Sequence, residues 1–233
     1  MTKVNRYCPG LLFIMAAVLG FMPILSQAAD TPRITVRIAE VKLAAADTIV
    51  DVPVYISHPK DTLAGVEIHF KIAENPMLSF ASTTTGKDGF WGAVDTAGGM
   101  LSGWEWVGVN SLDTSIYDLK VAGLADWPDQ KIAPPAMPRG EELLVTLHLR
   151  HNRSTIARDT VQFTIDINPG KTGFSDPVGN SIGIVTTPEK KCRKYEGDSC
   201  VVWQTVSKAT LDSTIVRLTG GSVTIIGGKS GGN

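Results

Sequence analysis

Between residues 34 and 72 this chain reads ITVRIAEVKLAAADTIVDVPVYISHPKDTLAGVEIHFKI: three extended runs separated by short polar breaks. In the second run Thr48, Val50, Val52, Val54 and Ile56 point one way, while Ile49, Asp51, Pro53 and Tyr55 point the other. In the third, Ala64, Val66, Ile68, Phe70 and Ile72 stand opposite Gly65, Glu67, His69 and Lys71. Side chains of a strand alternate between two faces, so strict period-two patterning means that one face packs on a core and the other meets water. All-parallel sheets, covered on both faces, read instead as continuous apolar runs. The pattern therefore predicts an antiparallel sandwich rather than a helical or doubly wound architecture.

The rest of the chain continues in kind. Strand-like runs recur at residues 78–80, 100–109 (MLSGWEWVGV), 116–124 (IYDLKVAGL), 141–150 (EELLVTLHLR), 160–167 (TVQFTIDI), 201–206 and 222–226. They give about nine to eleven strands and no convincing helix. Residues 125–140 hold Pro128, Pro134, Pro135 and Pro138, which fix φ and remove backbone donors, so an extended ordered loop is expected there. Residues 83–99 read as a long loop carrying Phe90 and Trp91. No internal repeat recurs at a fixed period, which disfavours a solenoid or propeller.

The two ends differ from this body. Lys3 and Arg6 precede an apolar stretch at residues 11–25, followed by Ser26-Gln27-Ala28-Ala29. A charged head, an apolar core and a small-residue site form a secretory signal, so residues 1–29 are expected to be cleaved after Ala28 or Ala29. Gly20 and Pro23 and the short length argue against a membrane span. Cleavage would remove two cations and no acid from a chain whose formal charge is −1. A mildly acidic mature domain, residues 30–226, lacks the electrostatic footprint of a nucleic-acid binder. Residues 227–233 (GGKSGGN) read as a flexible tail.

Of three cysteines, Cys8 leaves with the signal, and Cys192 and Cys200 remain in CRKYEGDSC. In an exported chain such a pair reads first as a disulfide, with Gly197-Asp198 supplying the turn. A metal or redox pair is the alternative. The spacing is not C-x-x-C, however, and His151 is distant in sequence.

The ordered set of segments resembles the cohesin family. A strand, a turn ending in Ala46-Asp47-Thr48, the V-x-V-P-V-x-I strand and the L-A-G-V-x-I-x-F strand are similar to the N-terminal half of a cohesin domain. A break at Asn75-Pro76 and Leu78-Ser79-Phe80 follow. The glutamate-led strand 141–150, the D-x-x-G-N loop in residues 174–182 (FSDPVGNSI) and the closing strand at residues 221–225 (GSVTI) complete the order. The resemblance implies an all-β jelly-roll sandwich and a secreted, non-catalytic binding module that docks a dockerin-type protein partner through a flat sheet face. Glu67, His69 and Lys71 are the candidate residues for that face. A dockerin would bring calcium loops of its own; this chain carries none of the form D-x-[DN]-x-[DN]-G. Residues 190–203, with the cysteine pair, look like an insertion before the closing strand.

No catalytic constellation is legible. There is no G-x-S-x-G elbow, and His148 and His151 do not form H-E-x-x-H. Glu67, Glu105 and Asp118 could supply the paired carboxylates of a glycoside hydrolase, but as strand charges they read as solvated. Neither a cofactor nor a metal site is expected. The second reading is a carbohydrate-binding module that binds polysaccharide directly, with Trp91, Trp104, Trp106 and Trp127 stacking on sugar rings. The pattern puts Trp104 and Trp106 on one strand face, with at least one of them packed in the core.

Overall fold

The computed structural model describes residues 31–44, 47–81, 91–111, 115–125, 135–152 and 160–226. The expected cleavage site, Phe90, Trp127 and the tail 227–233 lie outside the described residues, as does the side chain of Trp91. Among the described residues there is no α-helix. The described residues hold fifteen strand segments and three short 3-10 turns, at Trp91–Ala93, Met100–Gly103 and Pro169–Lys171.

One sheet holds β1 (Ile34–Ile38), β3 (Ile49–Ser57), β5 (Leu78–Phe80), β6 (Val94–Asp95), β9 (Glu142–His151) and β14 (Val216–Thr219), in the order β14-β1-β3-β9-β5 with β6 also on β9. The other holds β2 (Glu40–Ala44), β4 (Gly65–Ile72), β7 (Trp106–Asn110), β8 (Asp118–Leu124), β10 (Val161–Ile167), β11 (Gly173–Ser175) and β15 (Gly221–Ile226), in the order β2-β15-β10-β4-β8-β7 with β11 also on β4. All pairings are antiparallel except β1 with β14 and β2 with β15, where the start of the domain meets its end. A third element, the hairpin of β12 (Ile184–Glu196) and β13 (Ser199–Leu211), pairs only with itself.

The alternation sets the core. Val50, Val52, Val54 and Ile56 from the first sheet and Val66, Ile68, Phe70 and Ile72 from the second belong to one buried cluster. Leu144, Val145 and Leu147 of β9 join it, with Phe163, Ile165, Val223 and Ile225. Leu144 and Val145 are adjacent in sequence yet both buried, because the pairing of β9 with β3 shifts register between Val54 and Tyr55. The two sheets face each other across this shared apolar layer, which makes the body a β-sandwich.

Three sequence expectations change in detail. Residues 100–109 do not form one strand: Met100–Gly103 is a 3-10 turn and β7 begins only at Trp106. The strand count exceeds nine to eleven for local reasons. The first extended run divides at Ala39 into β1 and β2, which belong to different sheets, and β6 and β11 are pieces of two and three residues. The insertion is itself a hairpin, longer than residues 190–203, with 13 residues in each strand. The D-x-x-G-N loop owes its shape to Asp176. Its carboxylate accepts from the backbone N–H of Val178 (3.0 Å) and Asn180 (2.8 Å) and from the Asn180 side chain (2.9 Å). These donors hold the Asp176 carboxyl below its ordinary value, the Asn180 side chain foremost.

Candidate functional site

β4 runs through the second sheet between β8 on one side and β10 and β11 on the other. Its inward residues are core, so its outward residues define the middle of the sheet's outer face. Register places Glu67 opposite Ala122, His69 opposite Lys120 and Lys71 opposite Asp118 on β8. One strand further, β7 sets Trp106, Gly108 and Asn110 opposite Leu124, Ala122 and Lys120. On the other flank Asp166 stands opposite Lys71.

The three sequence-predicted residues of β4 differ in environment. Glu67 is 43% exposed in its side chain and accepts from Lys120 Nζ at 2.7 Å. Lys71 is exposed and forms no ion pair among the described residues. His69, expected to face solvent, is instead buried at 3% exposure. Its cover comes from far along the chain. The connection from β10 to β11 folds against β4 here: Asn168 N–H donates to the His69 carbonyl (2.9 Å), and the His69 N–H lies 3.4 Å from Thr172 Oγ1. The ring closes on Glu67, with Nε2 3.2 Å from Oε1. Its Nδ1 has no hydrogen-bond partner among the described residues, nor has the buried Asp118 Oδ1. Burial pushes the His69 pKa below its ordinary value, against the pull of Glu67.

The tryptophans part company. Trp104 is buried in the core cluster, where its ring abuts Gly123, because it precedes β7 instead of alternating with Trp106 along it. It cannot stack on a sugar. Trp106 is 45% exposed, and its ring lies across Gly108, where a Cβ would sit 2.6 Å from two ring atoms. A side chain at position 108 would lift the ring off the sheet. The side chains of Trp91 and Trp127 lie outside the described residues, so of this set Trp106 is the exposed ring among the described residues. The exposed Trp203 is on the β12–β13 hairpin, which pairs with neither sheet.

Cys192 and Cys200 form a disulfide, with Cα atoms 5.7 Å apart. Among the described residues no group of three or more His, Cys, Asp or Glu is placed to hold a metal ion, and no helix is long and apolar enough to cross a membrane.

Sequence reasoning missed His58. It is fully buried, with Nδ1 2.8 Å from the Asp61 carbonyl oxygen and Nε2 3.0 Å from Glu142 Oε1, and it ties the β3–β4 connection to β9. Arg33 pairs with Asp61 beside it. No spacing in the sequence announces the contact with Glu142, since the partners lie 84 residues apart.

The outer face of the first sheet forms two charge pairs, and its exposed Arg150 and Arg217 have no ion pair among the described residues. Arg37 makes two 3.0 Å bonds to Glu141 and lies 4.7 Å over the Tyr55 ring, and His148 Nδ1 is 2.7 Å from Asp51.

No protein-family model matches this chain, and no curated protein matches it. Solved structures do. A third cohesin of ScaC from Acetivibrio cellulolyticus, solved with the ScaB dockerin, is 14% identical over 83% of this chain and 99% of that one, with a TM-score of 0.48. The seventh ScaB type I cohesin from Pseudobacteroides cellulosolvens is 10% identical over 87% and 98%, at 0.49. A non-cellulosomal cohesin from Archaeoglobus fulgidus is 13% identical over 83% and 91%, at 0.46. Each of the three is a cohesin module, and it is to cohesin modules that this two-sheet chain is similar.

Proposed function

We propose that this chain is an exported, non-catalytic binding module that docks a protein partner of the dockerin type through the outer face of the second sheet. The observation that carries the reading is the grouping on the outer face of the second sheet: an uncommitted Lys71, the Glu67–Lys120 pair and a half-exposed Trp106 lie on adjoining strands. A flat face with an aromatic anchor and flanking charges suits a protein interface of about 800 Å² per partner. The ordered cohesin-like segments of the sequence name the partner class. His69 acts in this reading as a buried support under Glu67 rather than as a contact.

Titration calorimetry against dockerins, with calcium and with chelator, tests it. Binding that needs calcium is expected, because the ion would order the partner's loops. Saturable binding to a soluble polysaccharide, lost in Trp106→Ala, with no dockerin bound, would establish the carbohydrate-binding alternative. Export is tested separately, by N-terminal sequencing of the secreted protein: a start at Ala29 or Asp30 is expected, and an intact Met1 would contradict it.

A further inference from the structure

The β12–β13 hairpin has an unequal pair of edges. At about 3.4 Å per residue its 13-residue strands extend roughly 44 Å. An isolated two-stranded hairpin is marginal in water and gains stability from further strands. The outer edge of β12 carries the devices that discourage pairing: Pro188 in mid-strand, Lys190, Lys191 and Lys194, and an unpaired Arg193 where the register shifts. From Ser199 to Ser207 (SCVVWQTVS) β13 has no proline, glycine or charge, and its share of the irregularity is the single unpaired Val201. Val201, Val202 and Trp203 are exposed there, Trp203 at 59%. The 3-10 turn Pro169–Lys171 passes near β13 but adds no strand to it.

We propose that β13 is the edge through which two copies of this chain pair antiparallel, making a four-stranded sheet across a twofold axis at Trp203. Charge complementarity selects the second copy and the register. With Trp203 opposite itself, Val202 meets Gln204, Val201 meets Thr205, and Lys208 of each copy meets Asp198 of the other. Neither Lys208 nor Asp198 forms an ion pair within the chain among the described residues. Lys208 stands opposite Thr187 in its own hairpin, so its charge is available to a second copy. The basic residues of the two β12 strands then lie at the outer edges, three strand spacings or about 14 Å apart, beyond the screening length of about 10 Å at 0.1 M salt. A slip to the neighbouring allowed register breaks both ion pairs.

Sedimentation velocity of the full mature chain over a concentration series tests this. A monomer–dimer equilibrium is expected. Lys208→Asp should weaken the dimer by about tenfold, since it turns two attractive cross-strand pairs repulsive. Asp198→Lys should do the same, and the double exchange Asp198→Lys/Lys208→Asp should restore the wild-type constant. Unchanged thermal unfolding and an intact disulfide mass show that each variant is folded. A monomer at every concentration, or a dimer indifferent to Lys208→Asp, overturns the proposal; so does failure of the double exchange to restore a dimer that the single changes weakened.

Discussion

Phe70 and Lys71 are neighbours on β4 with opposite surroundings, one fully enclosed by the core and the other exposed. Phe70→Ala should cost about 3–5 kcal/mol, the range for truncating a buried aromatic, and Lys71→Ala no more than about 0.5 kcal/mol. Chemical denaturation of the two variants reads the difference, and equal losses would mean that the register is wrong. His69 supplies a pH signature. Its folded pKa is lowered, so the unfolded chain takes up the proton first, at about 6.5. Stability from the neutral buried ring is therefore complete above that value and declines as pH falls below it. Glu67, Lys120 and Asp118 act on the ring and persist in His69→Leu, which should show a shallower loss between about pH 6.5 and 5. An identical pH profile in the variant would sink this assignment. Period-two alternation made Val66, Ile68 and Phe70 legible as core. It could not show that His69 is covered, because the cover comes from Thr172, 103 residues away.

At the scale of elements, the hairpin is the part least dependent on the sandwich. Gly197 turns it with φ +61°, a left-handed conformation that favours glycine. The disulfide spans a sequence separation of 8 and, on the chain-entropy view, stabilises by about 2–3 kcal/mol. Reduction should speed amide exchange across β12 and β13 and leave the amides of β4 and β9 protected. Loss of protection in β4 on reduction would show that the hairpin holds the core together instead. The cysteine pair was legible from compartment and spacing; the length of the hairpin was not. Ile184–Glu196 contains Pro188 and four cations, a composition that reads as loop, and pairing with β13 is what makes it a strand. Trp104 shows the same limit from the other side. Its spacing from Trp106 fits one strand face, but a 3-10 turn ends just before it and the strand starts just after.

For the whole molecule, two sheets close around a shared core and leave two outer faces. Arg37 with Glu141 and Asp51 with His148 pair on the first, beside an exposed Arg150, whereas the second carries the exposed Lys71 and a half-exposed Trp106. The all-β architecture was readable from alternation because each inward residue repeats the same signal. The pairing of the outer-face charges was not, since it depends on which side chains meet across strands, and sequence order does not give that. The most direct test is a matched pair of charge reversals, one on each face: Lys71→Glu on β4 and Arg150→Glu on β9, both at exposed positions. Calorimetric titration of a bound dockerin partner should show affinity reduced at least about tenfold by Lys71→Glu and unchanged by Arg150→Glu. Loss of affinity in Arg150→Glu with none in Lys71→Glu would place the interface on the first sheet and contradict the account.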